Sequence, residues 1–137
     1  MPFVDYALLC NAAQVDVATG LVSILGGGLD RVGAPQLPVN ILVTVVARIV
    51  WSEQDLGSEY PFRVRVHHED DEELARVDGT QTPTRTDGMD QDFPVASLIV
   101  LTLPLQFRRA GRYYVEIRVN DELLKESPLV VLVGDGR

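Results

Sequence analysis

Apolar residues recur along this chain with a period of two, the spacing of a β-strand that turns one face inward. The strongest run is 39–51, where Val39, Ile41, Val43, Val45, Ala47, Ile49 and Trp51 share one face. The opposite face carries Asn40, Leu42, Thr44, Val46, Arg48 and Val50, half of them apolar. Such a density of β-branched side chains favours strand over helix. Residues 95–107 repeat the pattern with Val95, Ser97, Ile99, Leu101, Leu103, Leu105 and Phe107. There Pro104 predicts a strand end or a sheet edge. Residues 60–67 and 113–120 alternate more cleanly, with Val64, Val66, Val115 and Ile117 inward. Arg63, Arg65, His67, Tyr114, Glu116 and Arg118 are expected to face solvent.

Weaker patterns fill the remainder. Residues 3–13 read as a first strand, apolar on both faces, followed by a polar turn over 16–20. Residues 21–32 read as a second strand interrupted by Gly26, Gly27 and Gly28. Three glycines inside a strand predict a bulge, or a bend that lets 21–25 and 29–32 serve different parts of the fold. Residues 74–77 suggest a short return strand, and 123–126 and 129–133 two more, separated by Pro128. Asn120-Asp121 marks a tight hairpin. The stretch 78–92 is rich in Gly, Thr, Asp and Pro, and reads as a polar loop that is functional or mobile. About seven to nine strands and no amphipathic helix predict an all-β, two-layer antiparallel β-sandwich, loosely immunoglobulin-like. A partly closed barrel is the alternative. The Cys…Trp…Cys signature of true immunoglobulin domains is absent, since Cys10 is the one cysteine.

Size and charge narrow the picture. A chain of 137 residues reads as one domain, 1–137, with enough length to fold around a core without staples. The net charge of −8 repels phosphate backbones, which predicts no nucleic-acid partner. No apolar stretch approaches the length of a membrane span, and Asp5 interrupts the N-terminal apolar run. A cytoplasmic protein without a membrane partner is the expectation.

Candidate chemistry is sparse. Gly26–Gly28 invites a phosphate-loop reading, but no Gly-Lys-Ser/Thr follows, no helix pattern comes next, and Asp30 would repel an anion. These glycines are therefore read as structural. The segment 67–73 offers two histidines and five acids, and 87–92 offers spaced carboxylates. If the two met, Glu69, Asp71, Asp87, Asp90 and Asp92 would make a weak divalent-cation site. Adjacent histidines on opposite strand faces do not converge on a metal, so no metal and no cofactor is expected. No histidine stands near a nucleophile motif, and no Gly-x-Ser-x-Gly elbow exists. Cys10 sits in an apolar strand and reads as a buried small hydrophobe.

The segments Ala7-Leu-Leu-Cys-Asn-Ala-Ala13, Ile24-Leu-Gly-Gly-Gly-Leu-Asp-Arg31 and Gly111-Arg-Tyr113 resemble a family of small uncharacterised bacterial proteins of about this length. The resemblance implies a β-sandwich and a bacterial origin, and brings no activity or catalytic residues. The expectation is thus a non-catalytic module that binds another protein or itself, because 39–51 and 95–107 carry more apolar surface than one sheet interface needs. A ligand- or cation-binding module built on the acidic loops is the alternative. A hydrolase with an unrecognised carboxylate pair is more remote.

Overall fold

The computed structural model describes residues 2–134. Ten strands account for most of them: β1 (Phe3–Cys10), β2 (Ala12–Val15), β3 (Val22–Leu25), β4 (Arg31–Ala34), β5 (Val39–Trp51), β6 (Tyr60–His68), β7 (Glu73–Gln81), β8 (Val95–Phe107), β9 (Gly111–Val119) and β10 (Glu122–Val133). The helical content of the described residues is one 3-10 turn, Glu53–Asp55. No helix among them is long and apolar enough to cross a membrane.

The strands form a three-stranded sheet, β1-β5-β8, and a five-stranded sheet, β4-β10-β9-β6-β7. The expected inward faces meet between them. Val43, Val45, Ala47, Ile49 and Trp51 of β5, with Ile99, Leu103, Leu105 and Phe107 of β8, pack against Val64, Val66, Val115, Ile117, Leu129 and Val131. Both long strands alternate, and β5 pairs with β8 in register from Val39↔Phe107 to Trp51↔Val95. Pro104 is tolerated because β8 is an edge strand with β5 as its one neighbour. A polar thread joins the layers. Trp51 Nε1 donates to Ser97 Oγ at 2.8 Å, Ser97 donates to Gln81 Oε1 at 2.8 Å, and Gln81 Nε2 donates to the Leu98 carbonyl at 3.3 Å.

Several boundaries depart from the sequence pattern. The strand count exceeds the seven to nine expected because 3–13 and 21–32 each divide. A register shift between Val4 and Tyr6 turns Val4 onto the core side with Ala7 and Leu9, and the chain breaks at Asn11. Segment 123–133 is one strand, not two. At Pro128 β10 is paired to β9 alone, since β4 begins opposite Val130, so the missing amide disrupts no second ladder. One pairing is parallel, β10 with β4. Strand β7 reaches Gln81, so the polar loop begins at residue 82 rather than 78. Asn120 and Asp121 both take positive φ, 53° and 67°, as a two-residue hairpin turn requires.

The glycine triplet marks the point where the chain changes sheets. Strands β2 and β3 form a separate antiparallel hairpin that touches β5 and β8, whereas β4 joins the five-stranded sheet. Between them the Gly28 and Leu29 amides donate to the Leu9 carbonyl on the free edge of β1, at 3.0 and 2.9 Å. Gly26 and Gly28 take φ of +64° and +83°. A Cβ on Gly26 would overlap the Asn11 side chain, while one on Gly27 would meet Ile24 Cγ2 at 3.3 Å with φ unstrained. Gly26→Ala is expected to cost more than about 1–2 kcal/mol, since the left-handed conformation alone costs an L-residue that much. Gly27→Ala should cost less, and urea denaturation of the two variants side by side checks the order.

Candidate functional site

The outer face of the three-stranded sheet carries the residue set most suited to binding. The even-numbered side chains of β5 and β8 point away from the core, and Thr44 and Val46, with Cys10 of β1 beside Thr44, are nonetheless fully buried. The β2–β3 hairpin covers this part of the sheet. Beneath it Thr44 Oγ1 bonds Thr102 Oγ1 at 2.9 Å, and Cys10 Sγ donates to the Thr44 carbonyl at 3.5 Å. Burial pushes the Cys10 thiol pKa up, which keeps it protonated and unreactive.

The cover stops short. Between the hairpin and loop 82–94 an open groove of about 450 Å³ is lined by Tyr6, Leu21, Val22, Arg48, Met89, Phe93 and Leu98, among others. Leu21 is 70% exposed and Phe93 64%, so the groove has apolar groups at its rim. Arg48 is the charge within it, and donates to Asp5 Oδ2 at 2.6 Å. Loop 82–94, which forms one wall, is fastened by Arg85. That guanidinium donates to the Asp90 and Phe93 carbonyls at 2.7 and 2.8 Å and to Glu53 Oε1 at 2.6 Å.

The acidic candidates do not come together. Turn 69–72 precedes β7 and loop 82–94 follows it, so the nine residues of that strand separate them by roughly 25 Å. Glu69 accepts the Arg112 amide at 3.1 Å, and Asp71 pairs with Arg65 at 3.0 Å. Asp90 accepts the Asp92 amide at 3.0 Å, and Asp87 is exposed. Gly26, Gly27 and Gly28 lie along β1, where the Gly28 amide is taken by the Leu9 carbonyl. The pattern misses the groove because its walls come from four separated stretches. The legible signal is the surplus of apolar residues on the even face of 39–51 and 95–107.

At the other end of the molecule, turn 69–72 is held to 108–112. Asp70 accepts the Glu72 amide at 3.0 Å and the Arg109 guanidinium at 2.6 Å. The Glu72 amide, then Arg109, hold the Asp70 carboxyl down at about 2. Tyr113 O–H donates to the Arg109 carbonyl at 2.6 Å, and burial pushes its phenol pKa up.

Two measurements follow from these contacts. A carboxyl whose folded pKa lies below its unfolded value stabilises the fold above about pH 4, and that contribution is lost as pH falls toward 2. Asp70→Asn should therefore flatten the loss of stability between those limits, as thermal melts across the acid range would reveal. Arg85→Gln should release loop 82–94, with a loss of about 1–2 kcal/mol and faster proteolysis within the loop.

Comparisons with known proteins come last. No curated protein matches the chain in sequence. Among solved structures, a Pseudomonas fluorescens alkylpurine DNA glycosylase, AlkC, bound to DNA containing an abasic site analog, superposes with a TM-score of 0.53 at 8% identity. The match covers 96% of this chain and 30% of that one, so this chain spans less than a third of the neighbour's length. At such identity the likeness is one of fold. It corrects the expectation that nucleic acid is excluded, because this fold occurs within a chain solved on DNA, and net charge says little about one local surface. A family model for a family of unknown function, DUF6941, matches residues 5–132, and the chain belongs to that family.

Proposed function

We propose that the protein is a non-catalytic binding module that takes an apolar polypeptide segment into the groove between the β2–β3 hairpin and loop 82–94. The observation that carries this reading is the apolar rim: Leu21 of the hairpin and Phe93 of loop 82–94 both line one open channel, 70% and 64% exposed. Covering side chains of this size contributes roughly 1.5–3 kcal/mol each. Arg48 at the groove suits a segment with an acidic residue beside its apolar ones, since Asp5 shares the guanidinium from the exposed side. A cytoplasmic setting belongs to this reading, supported by Cys10, free and buried.

Selection of peptides from a random display library against the full chain tests the proposal. The enriched peptides should be apolar and acidic, and should lose at least tenfold in affinity to a Leu21→Asp, Phe93→Asp double variant. Both sites are exposed, so the melting temperature of that variant should be unchanged. Enriched peptides that bind the variant and the parent equally, or no enrichment, would overturn it.

A further inference from the structure

The two adjacent histidines of β6 meet their hydrogen-bond partners in different ways. His68 Nδ1 accepts the Asp70 amide at 3.2 Å, and its Nε2 donates to the Ala110 carbonyl at 3.3 Å. One neutral tautomer satisfies both contacts, with Asp70 Oδ1 also 3.1 Å from Nδ1. His67 has acceptors on both sides. Its Nδ1 lies 2.9 Å from the His68 carbonyl and its Nε2 lies 3.1 Å from Glu116 Oε1. A carbonyl oxygen can only accept, so Nδ1 carries the proton and Nε2 aims a lone pair at a carboxylate oxygen. Two lone pairs at that distance need a proton or a metal ion between them.

The surroundings favour a metal ion. Glu126 of β10 stands directly across the ladder from Glu116. Donor atoms of His67, Glu116 and Glu126 all lie within 4.8 Å of one another. Like charges paired across strands destabilise a sheet, and an ion held between them would meet both carboxylates. Arg118 and Arg65 approach the other oxygen of Glu116, Oε2, at 3.3 and 3.9 Å. They orient the carboxylate and leave Oε1 facing His67. The His68 carbonyl likewise fixes the His67 ring with Nε2 forward, the outer support that metal-ligating histidines ordinarily have. Bonds of about 2.0–2.1 Å in a tetrahedral site place ligand atoms roughly 3.3 Å apart, close to the His67–Glu116 separation. His67 and Glu116 are over nine-tenths buried, and exposed Glu126 opens the site on one side.

We propose that His67 Nε2, Glu116 Oε1 and the Glu126 carboxylate bind a divalent transition-metal ion. One nitrogen and two oxygen donors suit Zn²⁺ above Ca²⁺ or Mg²⁺, which prefer oxygen alone. Three protein ligands leave a coordination position on the solvent side for water or a small anionic ligand. The site is independent of the groove, which lies on the outer face of the other sheet.

Calorimetric titration of the chelator-treated full chain with Zn²⁺ tests it. One ion should bind per chain and raise the melting temperature. Glu126→Gln, at an exposed position that leaves folding unaffected, should weaken binding at least tenfold, and His67→Asn should abolish it. Asp90→Asn should change nothing. In nitrogen NMR spectra, loading should shift His67 Nε2 and leave His68 in place. Absence of binding at millimolar Zn²⁺, unaltered affinity in Glu126→Gln, or an unmoved His67 resonance would each overturn the proposal.

Discussion

The middle of strand β5 has no face that it can leave in water. Its odd-numbered side chains fill the space between the sheets, and on the even side Thr44 and Val46 are fully buried as well. Exposing one valine forfeits roughly 1.5–3 kcal/mol, a large share of a domain's net stability. The rest of the architecture answers that constraint. The five-stranded sheet covers one side, and the β2–β3 hairpin covers the middle of the other. A hairpin laid over one sheet must still deliver the chain to the opposite layer. The left-handed glycines do this along the edge of β1, where the Gly28 and Leu29 amides also close that edge against further pairing. The groove is what the short hairpin leaves uncovered, with loop 82–94 forming the second wall.

The outer face of the five-stranded sheet is managed by charge instead of cover. Arg63 pairs with Asp78 at 2.7 Å, Arg65 with Glu73 at 2.8 Å, and Arg118 with Glu116 at 3.3 Å. The more solvated of these pairs, Arg63 with Asp78, contributes little to stability. Glu116 differs, because neighbouring long side chains bury it to 7% exposure on a face that should be wet. A carboxylate there is costly unless compensated by its neighbours, and Arg118, Arg65 and His67 stand 3.3, 3.9 and 3.1 Å from its oxygens. The binding groove and the polar cluster thus arise from opposite solutions to the same problem, how to finish the outside of a sheet.

Much of this was legible in the sequence. Period-two alternation in 39–51, 60–67, 95–107 and 113–119 identifies the strands and their inward residues, because a strand's side-chain period is invariant. Asn120-Asp121 announces its hairpin through residues that tolerate positive φ. Legibility fails where a bulge resets the alternation, as between Val4 and Tyr6. It fails also where polar residues enter a strand through cross-strand partners, as at the end of β7. His67 alternates as a solvent-facing residue, and its burial depends on Glu116, forty-nine positions away.

The sequence by itself determined the element type, the inward faces of the long strands and the surplus of apolar surface, since these follow from local spacing and transfer free energy. Tertiary structure alone decided which strands are neighbours. That choice brings Leu21 beside Phe93 and Glu126 beside Glu116 and His67, and it holds the two acidic loops at opposite ends of β7. Strand order is set by which whole faces bury one another, a property of the assembled layers that no window of the chain contains.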